Sequence, residues 1–344
     1  MADTADPINV LITVKFDAES LASFRDVSNR LDILYYPARQ AREVPDDIWA
    51  KTQVLYTSSV VPELAQTPQL RWVHVHSAGV DHLIDQPVFQ SENVVLTNAS
   101  GIHSTNIAEY VFTMMLAFGH RLPTLIEYQA AATWPDEQRM LRLMPLELRG
   151  STIGIVGYGS IGREVARIAS ALGMEVLAIK RDVRHPAELD EYNLPGTGDP
   201  DGQYFHRLYP PEALHSLVRE SDFVVLTVPL VEATRGMFGA DAFAAMKQTA
   251  FLINVSRGGI VDEDALIQAL QNKQIAGAAM DVFEAEPLAA DSSLWKQPRL
   301  IISPHISGMT GDYNEKAATL FIENLQRYIQ RKELLNVVNR SWGY

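Results

Sequence analysis

The chain has 344 residues, which suggests about two domains of roughly 100–200 residues each. Its 47% hydrophobic and 21% charged residues are typical of a globular protein and exclude a disordered or fibrous chain. The net charge of −13 disfavours a nucleic-acid binder, and the lack of cysteine excludes thiol nucleophiles, CxxC redox motifs and thiolate metal sites. Residues 1–10 lack the basic and apolar segments of a targeting signal, so we expect a soluble cytoplasmic protein.

The first hundred residues contain short apolar runs that predict buried β-strands. These runs are Val10–Phe16, Leu31–Tyr36, Val54–Ser58, Trp72–His76 and Val94–Asn98. The segments between them are long enough for crossover helices, which favours a parallel sheet covered on both faces. A helical stretch follows over Thr105–Ala132, and Pro123 is expected to kink or break it.

A second series of strands predicts a second α/β unit after a switch near residue 105. The strands are expected at Thr152–Val156, Glu175–Ile179, Phe223–Val228, Ala250–Val255, Ala276–Val282 and Leu300–Ile302. The segment Arg181–Pro211 is rich in Pro, Gly and Asp and is interpreted as an extended surface connection. An amphipathic helix from about Asp312 to Arg331 follows the second unit, and its pattern does not say which unit it packs against.

A glycine-rich turn, GYGSIG at residues 157–162, lies between a predicted strand and a predicted helix over Arg163–Leu172. The first glycine permits a tight turn, the second lets a pyrophosphate approach the backbone, and the third allows close contact between helix and strand. The helix N-terminus offers N–H groups and a positive dipole to the anion. The alternative is a turn whose glycines serve packing alone, but the flanking elements favour dinucleotide binding.

The end of the following strand bears on the choice of cofactor. Sites that prefer NAD usually place Asp or Glu there, about 20 residues after the turn, to hold the ribose hydroxyls. Here Lys180 and Arg181 occupy the strand end, and both would bind a 2′-phosphate. NADP(H) is therefore favoured. NAD(H) is the alternative, with Asp182 binding the ribose and the basic pair in solvent.

Arg257, Glu286 and His305 each follow a predicted strand, and open α/β sheets bind ligands at such strand ends. Arginine offers a fork of donors to a carboxylate and a carbonyl, and histidine exchanges protons near neutral pH. A neighbouring carboxylate would orient the imidazole. Each residue alone has a plain structural explanation, as an ion-pair, solvated-loop or core residue. Together, beside a dinucleotide site, they favour reduction of a 2-oxo acid.

The motifs together resemble those of the D-isomer-specific 2-hydroxyacid dehydrogenase family, over nearly the whole chain. The matching stretches are His76–Asp81, Asn98–Glu109, Gly154–Gly162, Asn254–Asp262, Asp281–Pro287 and Ser303–Gly308. The resemblance implies an α/β fold of two Rossmann-like or flavodoxin-like domains with parallel sheets. Residues 1–105 and 308–344 would form the substrate domain, and residues 106–307 would form the cofactor domain inserted into it. It also implies an active site in the cleft between them and a homodimer formed through the cofactor domains.

The resemblance implies roles for the site residues as well. Arg257 would bind the substrate carboxylate and polarise the carbonyl, His305 would be the acid in reduction, and Glu286 would pair with it. The substrate carboxylate would also meet backbone N–H groups of Ser77, Ala78 and Gly79. Cofactor contacts are implied for Gly157, Gly159, Ser160, Ile161, Gly162, Lys180, Arg181, Val228, Pro229, Thr234, Val255, Ser256, Asp281 and Ser307. Asp281 would hold the nicotinamide carboxamide, and no metal ligands are expected.

The leading hypothesis is an NADPH-dependent reductase of small 2-oxo acids such as glyoxylate or hydroxypyruvate, with no nucleic-acid or membrane partner. The alternatives are an NAD-linked dehydrogenase of the D-lactate or phosphoglycerate type and a non-catalytic dimer that senses dinucleotides. A formate dehydrogenase is disfavoured, because this chain has Glu286 at the position where the resemblance implies a glutamine in formate dehydrogenases.

Three further side chains have competing interpretations. His103 could face the substrate, but a helix-capping neighbourhood with Ser104 or Thr105 as the cap is preferred. His74 lies in an apolar strand and is interpreted as structural rather than as a metal ligand. Trp134 could reach a neighbouring subunit or pack into the core.

Overall fold

The computed structural model describes residues 6–83, 85–187 and 191–343. These residues form two compact units. The terminal unit comprises residues 6–102, 191–192 and 310–343, and the central unit comprises residues 103–187 and 193–309. No helix in this part of the chain is both long and apolar enough to cross a membrane.

All strand pairings within the two sheets of the described residues are parallel. The strands are β1 Ile8–Ile12, β2 Leu31–Tyr35, β3 Val54–Thr57, β4 Trp72–Val75, β5 Val95–Thr97, β6 Thr152–Val156, β7 Glu175–Ile179, β8 Arg207–Tyr209, β9 Phe223–Leu226, β10 Phe251–Asn254, β11 Gly277–Met280 and β12 Leu300–Ile302. The α-helices are α1 Ala18–Asp26, α2 Asp46–Lys51, α3 Pro87–Gln90, α4 Ser104–Gly119, α5 Leu122–Ala130, α6 Glu137–Arg142, α7 Ser160–Ala171, α8 Leu214–Glu220, α9 Ala240–Ala245, α10 Glu263–Gln271 and α11 Tyr313–Ile329.

The strand orders identify the edge at which a ligand is expected. The sheet of the terminal unit has the order β2-β1-β3-β4-β5, and that of the central unit has the order β12-β11-β10-β9-β6-β7-β8. In the central sheet, Val156 of β6 is level with Ile179 of β7 on one side and with Leu226 of β9 on the other. The order of the strands reverses at β6, and open α/β sheets bind ligands at the carboxyl ends of strands at such a point. The predicted α/β fold with parallel sheets is confirmed.

Helices cover both faces of the central sheet, as the alternation of side chains along β9 illustrates. Phe223 and Val225 point to the face packed by α4 and α7, whereas Val224 and Leu226 point to the face packed by α8, α9 and α10. All four side chains are fully buried. Burial of each contributes about 1.5–3 kcal/mol, which explains why these strands are apolar on both faces.

The core of the terminal unit also has two layers. Trp49 of α2 and Phe89 of α3 pack on one face of the sheet, and Phe24 of α1 and Phe321 of α11 pack on the other. The final helix therefore belongs to the terminal unit, which the sequence pattern left open. His74 is fully buried and bonds Thr97 Oγ1 through Nδ1 at 2.8 Å, as a structural residue would.

Two sequence expectations need correction. The helical stretch 105–132 is two helices, α4 and α5, and the break falls at His120 and Arg121 rather than at Pro123. Arg121 adopts a left-handed φ of 55°, and Pro123 lies in the first turn of α5, where its missing N–H costs nothing. The segment 181–211 is not wholly an extended connection either, because it contains β8, which pairs with β7.

Candidate active site

The glycine-rich turn joins β6 to α7 at the switch point of the central sheet. Gly157 has a φ of 109°, which disfavours any side chain there. A Cβ at Gly162 would lie 2.1 Å from the carbonyl oxygen of Gly157, so the helix packs directly on the turn. A Cβ added at Gly159 would meet no atom of the described residues within 4 Å beyond its chain neighbours and its own helix. The turn therefore offers open space beside the N-terminus of α7, which fits a pyrophosphate. Ser160 and Ile161 begin that helix.

The strand end beyond β7 carries the predicted basic pair. Lys180 Nζ donates to the carbonyl oxygens of His185 at 2.7 Å and Ala187 at 3.4 Å. Asp182 accepts from the backbone N–H of Arg184 at 3.0 Å, and its second oxygen lies 2.7 Å from Nδ1 of His185. Both oxygens of the Asp182 carboxylate thus contact residues two and three positions further along the chain. The two carbonyl contacts hold the ammonium of Lys180 just beyond the end of β7.

A buried polar cluster that the sequence did not reveal ties the 181–211 segment to α7. Arg163 is fully buried and donates to the carbonyl oxygens of Asp199 at 2.5 Å and Pro186 at 2.6 Å. The carboxylate of Asp199 accepts from Tyr158 Oη at 2.6 Å. Glu164, also fully buried, accepts from the N–H of Gly198 at 2.7 Å. These bonds hold the segment against the helix that follows the glycine-rich turn.

Asp281 follows β11 and organises the loop after β12. Its side chain is fully buried and accepts from the N–H groups of Ile306 and Ser307, each at 2.9 Å, and from Ser303 Oγ at 2.5 Å. A carboxylate has about four lone-pair sites, so these three bonds leave one for a further donor. This arrangement fits the implied contact with a carboxamide N–H.

His305 and Glu286 form the closest pair of candidate catalytic groups. His305 Nδ1 lies 2.7 Å from Glu286 Oε2, and Glu286 Oε1 accepts from the N–H of Phe283 at 2.9 Å. The carboxylate is thereby fixed at both oxygens. The histidine side chain remains 48% exposed, so its ring is accessible to a substrate.

Arg257 follows β10, the strand next to β11. Its Nη1 donates to the carbonyl oxygen of Ser256 at 2.9 Å, and its own carbonyl accepts from Asn254 Nδ2 at 3.2 Å. A Cβ at Gly258 would lie 1.8 Å from the carbonyl carbon of Phe283, so the turns after β10 and β11 are in close contact. The three candidate catalytic residues thus occupy the ends of three adjacent strands.

The remaining predicted cofactor residues lie in the segments that follow β9 and β10 in the central unit. Val228 and Pro229 follow β9, and Thr234 Oγ1 donates to the carbonyl of Pro229 at 2.7 Å. Val255 and Ser256 follow β10, where Ser256 Oγ donates to Asn254 Oδ1 at 2.6 Å.

The predicted substrate loop belongs to the terminal unit. Ser77, Ala78 and Gly79 follow β4 and are half-buried. Ser77 Oγ donates to the carbonyl of Gly79 at 2.8 Å, and the Ser77 carbonyl accepts from the N–H of Ala99 at 3.1 Å. These bonds fix the conformation of the loop.

Two of the competing interpretations are decided by the structure. His103 itself is the N-cap residue of α4, and it makes no capping hydrogen bond. Its Nδ1 instead lies 3.1 Å from the carbonyl oxygen of Gly308, so the preference for Ser104 or Thr105 as the cap was wrong. Trp134 is 88% exposed, which excludes packing into the core.

Comparisons with known proteins agree with this geometry. The family model for the NAD-binding domain of D-isomer specific 2-hydroxyacid dehydrogenases matches residues 112–307. An (S)-sulfolactate dehydrogenase of Chromohalobacter salexigens is 39% identical over 77% of this chain and 79% of the relative. A glyoxylate reductase of Korarchaeum cryptofilum is 33% identical over 80% of this chain and 77% of the relative.

The solved structures give the same result. A D-isomer specific 2-hydroxyacid dehydrogenase from Xanthobacter autotrophicus, solved with NADPH and MES, has a TM-score of 0.80 and 26% identity, covering 99% of this chain and 100% of that one. These findings confirm the family that the motifs indicated. The chain belongs to the D-isomer specific 2-hydroxyacid dehydrogenase family and is an oxidoreductase with a nicotinamide-dinucleotide-binding domain.

Proposed function

We propose that this protein reduces small 2-oxo acids to D-2-hydroxy acids with NADPH, and that Arg257, Glu286 and His305 carry out the reaction. The observation that carries the proposal is the 2.7 Å contact between His305 and Glu286. Glu286 follows β11 and His305 follows β12, and these strands lie in order beside β10, which precedes Arg257, in the sheet whose switch point carries the glycine-rich turn. The names of the glyoxylate reductase and sulfolactate dehydrogenase relatives support a small 2-oxo or 2-hydroxy acid.

The contact with Glu286 determines which ring nitrogen of His305 exchanges a proton. A carboxylate only accepts hydrogen bonds, so Nδ1 carries a hydrogen toward it and Nε2 is left to face the substrate. When bound, the reduced nicotinamide supplies the hydride. Negative charge then develops on the carbonyl oxygen, where the Arg257 guanidinium stabilises it and His305 Nε2 delivers the proton.

The substrate carboxylate needs donors of its own. Arg257 presents a planar fork that matches a carboxylate. We propose that the backbone N–H groups of residues 77–79 complete its binding site. The fixed conformation of that loop favours this role, because preorganised donors lose little entropy when they bind.

Two contacts favour NADPH over NADH. The carboxylate of Asp182, the group that would bind the ribose hydroxyls of NAD, is held by His185 and by the N–H of Arg184. Lys180 Nζ is anchored at this strand end by the carbonyl oxygens of His185 and Ala187, and Arg181 follows it directly. A 2′-phosphate at this strand end would meet cations rather than a carboxylate.

The sulfolactate dehydrogenase relative gives a second candidate function, oxidation of (S)-sulfolactate. That relative shares 39% of its residues with this chain over the aligned region, more than the glyoxylate reductase does. The two candidates use the same catalytic groups in opposite directions, because the acid of reduction is the base of oxidation.

The test is consumption of NADPH and, separately, of NADH with glyoxylate, hydroxypyruvate, pyruvate and a bulky 2-oxo acid, together with NADP⁺ or NAD⁺ reduction by (S)-sulfolactate. Faster turnover of NADPH with the small acids supports the leading proposal. Turnover confined to sulfolactate supports the second candidate. No turnover despite tight dinucleotide binding contradicts both and favours a dinucleotide sensor.

We also propose a homodimer formed through the central unit, in the cytoplasm. Exposed large apolar side chains concentrated in one stretch of the central unit support the dimer. They lie within residues 116–144, are hereafter called the apolar face, and are Leu116, Leu122, Leu125, Ile126, Trp134, Met140, Leu141 and Met144. Exposed apolar side chains that gather into a patch mark interaction sites. The absence of cysteine fits a reducing compartment.

A further inference from the structure

One side of the N-terminal half of α4 is bonded to the loop that carries His305. Asn106 Nδ2 donates to the carbonyl oxygens of Ser307 at 2.8 Å and Met309 at 3.2 Å. Tyr110 Oη lies 2.6 Å from Ser303 Oγ, and His103 lies one turn before Asn106, with its Nδ1 beside the Gly308 carbonyl. Positions 103, 106 and 110 share one helix face. About 200 residues of sequence separate the helix from the loop it holds.

The direction of the hydrogen bonds at Tyr110 follows from its neighbours. Ser303 Oγ donates its proton to the carboxylate of Asp281, so it can only accept from Tyr110. Burial raises the pKa of Tyr110 to about 12, and the nearby Asp281 charge acts in the same direction. The hydroxyl therefore keeps its proton at neutral pH. The hydrogen bonds thus run in one direction, with Tyr110 donating to Ser303 and Ser303 donating to Asp281.

Asp281 extends this chain to the histidine loop. Its carbonyl oxygen accepts from the N–H of His305 at 2.8 Å, and its side chain accepts from the next two N–H groups. Asp281 and the α4 face thus hold the loop at successive positions from Ser303 to Met309.

The backbone of His305 shows why the loop needs to be held. Its φ is 53°, in the left-handed region that a residue with a Cβ seldom adopts. Such a conformation persists only where the surroundings fix it, and it is found mainly at functional sites. The backbone conformation in turn sets the direction of the ring toward Glu286.

We propose that Asn106 and Tyr110 are positioning residues, which hold the His305 loop in the geometry that directs the imidazole at Glu286. His103 assists them through Gly308. The expected fall in turnover rests on the proposed function. The expected change in the geometry of the His305 loop concerns the ligand-free protein and does not.

The test compares Asn106→Ala and Tyr110→Phe with the wild type. We expect kcat to fall about ten- to hundredfold in each, since small misplacements of a catalytic group cost factors of that size. The KM of the 2-oxo acid and the NADPH dissociation constant, measured by fluorescence, should change by less than about threefold, because neither residue supplies a donor to those ligands. Tyr110→Phe keeps the half-buried ring, so it tests the hydroxyl even if Asn106→Ala folds poorly.

The second readout needs no turnover. In the ligand-free wild type, the Nδ1–H of His305 should give a far-downfield proton resonance, assigned by its loss in His305→Gln. Tyr110→Phe and Asn106→Ala should broaden it or shift it upfield. Thr113→Ala, on an exposed part of α4, and Tyr328→Phe, in the terminal unit, should leave both kcat and the resonance unchanged.

The outcomes separate this inference from the proposed function. A wild type that turns over 2-oxo acids, with variants that match it in kcat and in the resonance, overturns the positioning role alone. A wild type that turns over no 2-oxo acid overturns the proposed function, and the resonance of the variants then decides the inference by itself. Equal losses in the control variants would also count against it.

Discussion

The carboxylate of Glu286 gives His305 its orientation, and the neighbouring Glu284 offers a matched control. Glu286→Gln keeps the shape of the side chain and removes its charge. We expect kcat for 2-oxo acid reduction to fall about hundredfold or more, because the protonated imidazole loses its charged acceptor. Stopped-flow measurement of NADPH oxidation gives kcat, and fluorescence titration should give an unchanged NADPH dissociation constant.

Glu284 is exposed in the same loop, and its backbone N–H donates to the Glu263 side chain at 2.8 Å. Glu284→Gln removes the same charge from the same loop and should keep full kcat. If both variants lost turnover equally, the local net charge rather than the contact with His305 would be responsible.

The buried His74 makes stability depend on pH. Burial, together with the nearby His76, lowers its pKa from 6.5 to about 3. Between these values the unfolded chain binds the proton and the folded chain does not. The free energy of unfolding should therefore fall with decreasing pH, by up to about 1.4 kcal/mol per pH unit from this group.

Urea unfolding at pH 7.5, 6 and 4.5 measures this effect. His74→Asn cannot take up the proton, so its loss of stability between pH 6 and 4.5 should be smaller than that of the wild type. His82→Gln, an exposed change in the same unit, should follow the wild type. A wild-type slope retained in His74→Asn would show that other groups control acid unfolding.

The buried residue Asp199 helps to hold the segment between β7 and β8. Its carboxylate accepts from Tyr158 Oη and from the N–H groups of Gln203 and Tyr204, and it is 2% exposed. Asp199→Ala leaves the buried hydroxyl of Tyr158 and two backbone N–H groups without this acceptor. We expect it to lower the free energy of unfolding by about 2–4 kcal/mol.

Asp201→Ala is the matched control, because Asp201 is an exposed carboxylate in the same segment. It should change the denaturant midpoint little, since exposed substitutions stay within about 0.5 kcal/mol. A loss as large as that of Asp199→Ala would indicate a general effect of charge in this segment rather than the buried bonds.

This segment also illustrates what could be predicted from the sequence. Strands such as β6 and β7 have a local signature, the apolar run, and the glycine-rich turn has fixed spacing, so both were predicted at the correct residues. Arg163 and Glu164 follow the turn as charged residues, which are usually exposed. Arg167 pairs with Glu164 one turn further along α7, but Arg163 and Glu164 also bond partners more than twenty residues away, which no local pattern reports.

The same limit applies to the candidate site. Arg257, Glu286 and His305 were predicted together because strand ends of a parallel sheet lie along one edge, which the order of strands in the chain already implies. Asn106 and Tyr110 were missed, since their partners lie about 200 residues away. The local hint was the helical spacing of three polar side chains, at positions 103, 106 and 110.

The apolar face of the central unit makes a prediction about assembly. Exposed Leu, Ile, Met and Trp side chains within 29 residues of sequence are costly in water unless another surface covers them. We expect a homodimer at micromolar concentration, and Leu141→Asp, at a side chain that is 71% exposed, should convert it to a monomer. Sedimentation velocity measures the change.

The net charge of −13 opposes this association, because each copy repels the other. Salt screens that repulsion over about 10 Å at 0.1 M, so the dimer should tighten as salt rises, whereas one held by ion pairs would weaken. Leu64→Asp, an exposed leucine of the terminal unit, should leave the dimer intact. A wild type that stays monomeric at every salt concentration would mean that the apolar face serves another partner. Dissociation by Leu64→Asp but not by Leu141→Asp would move the interface to the terminal unit.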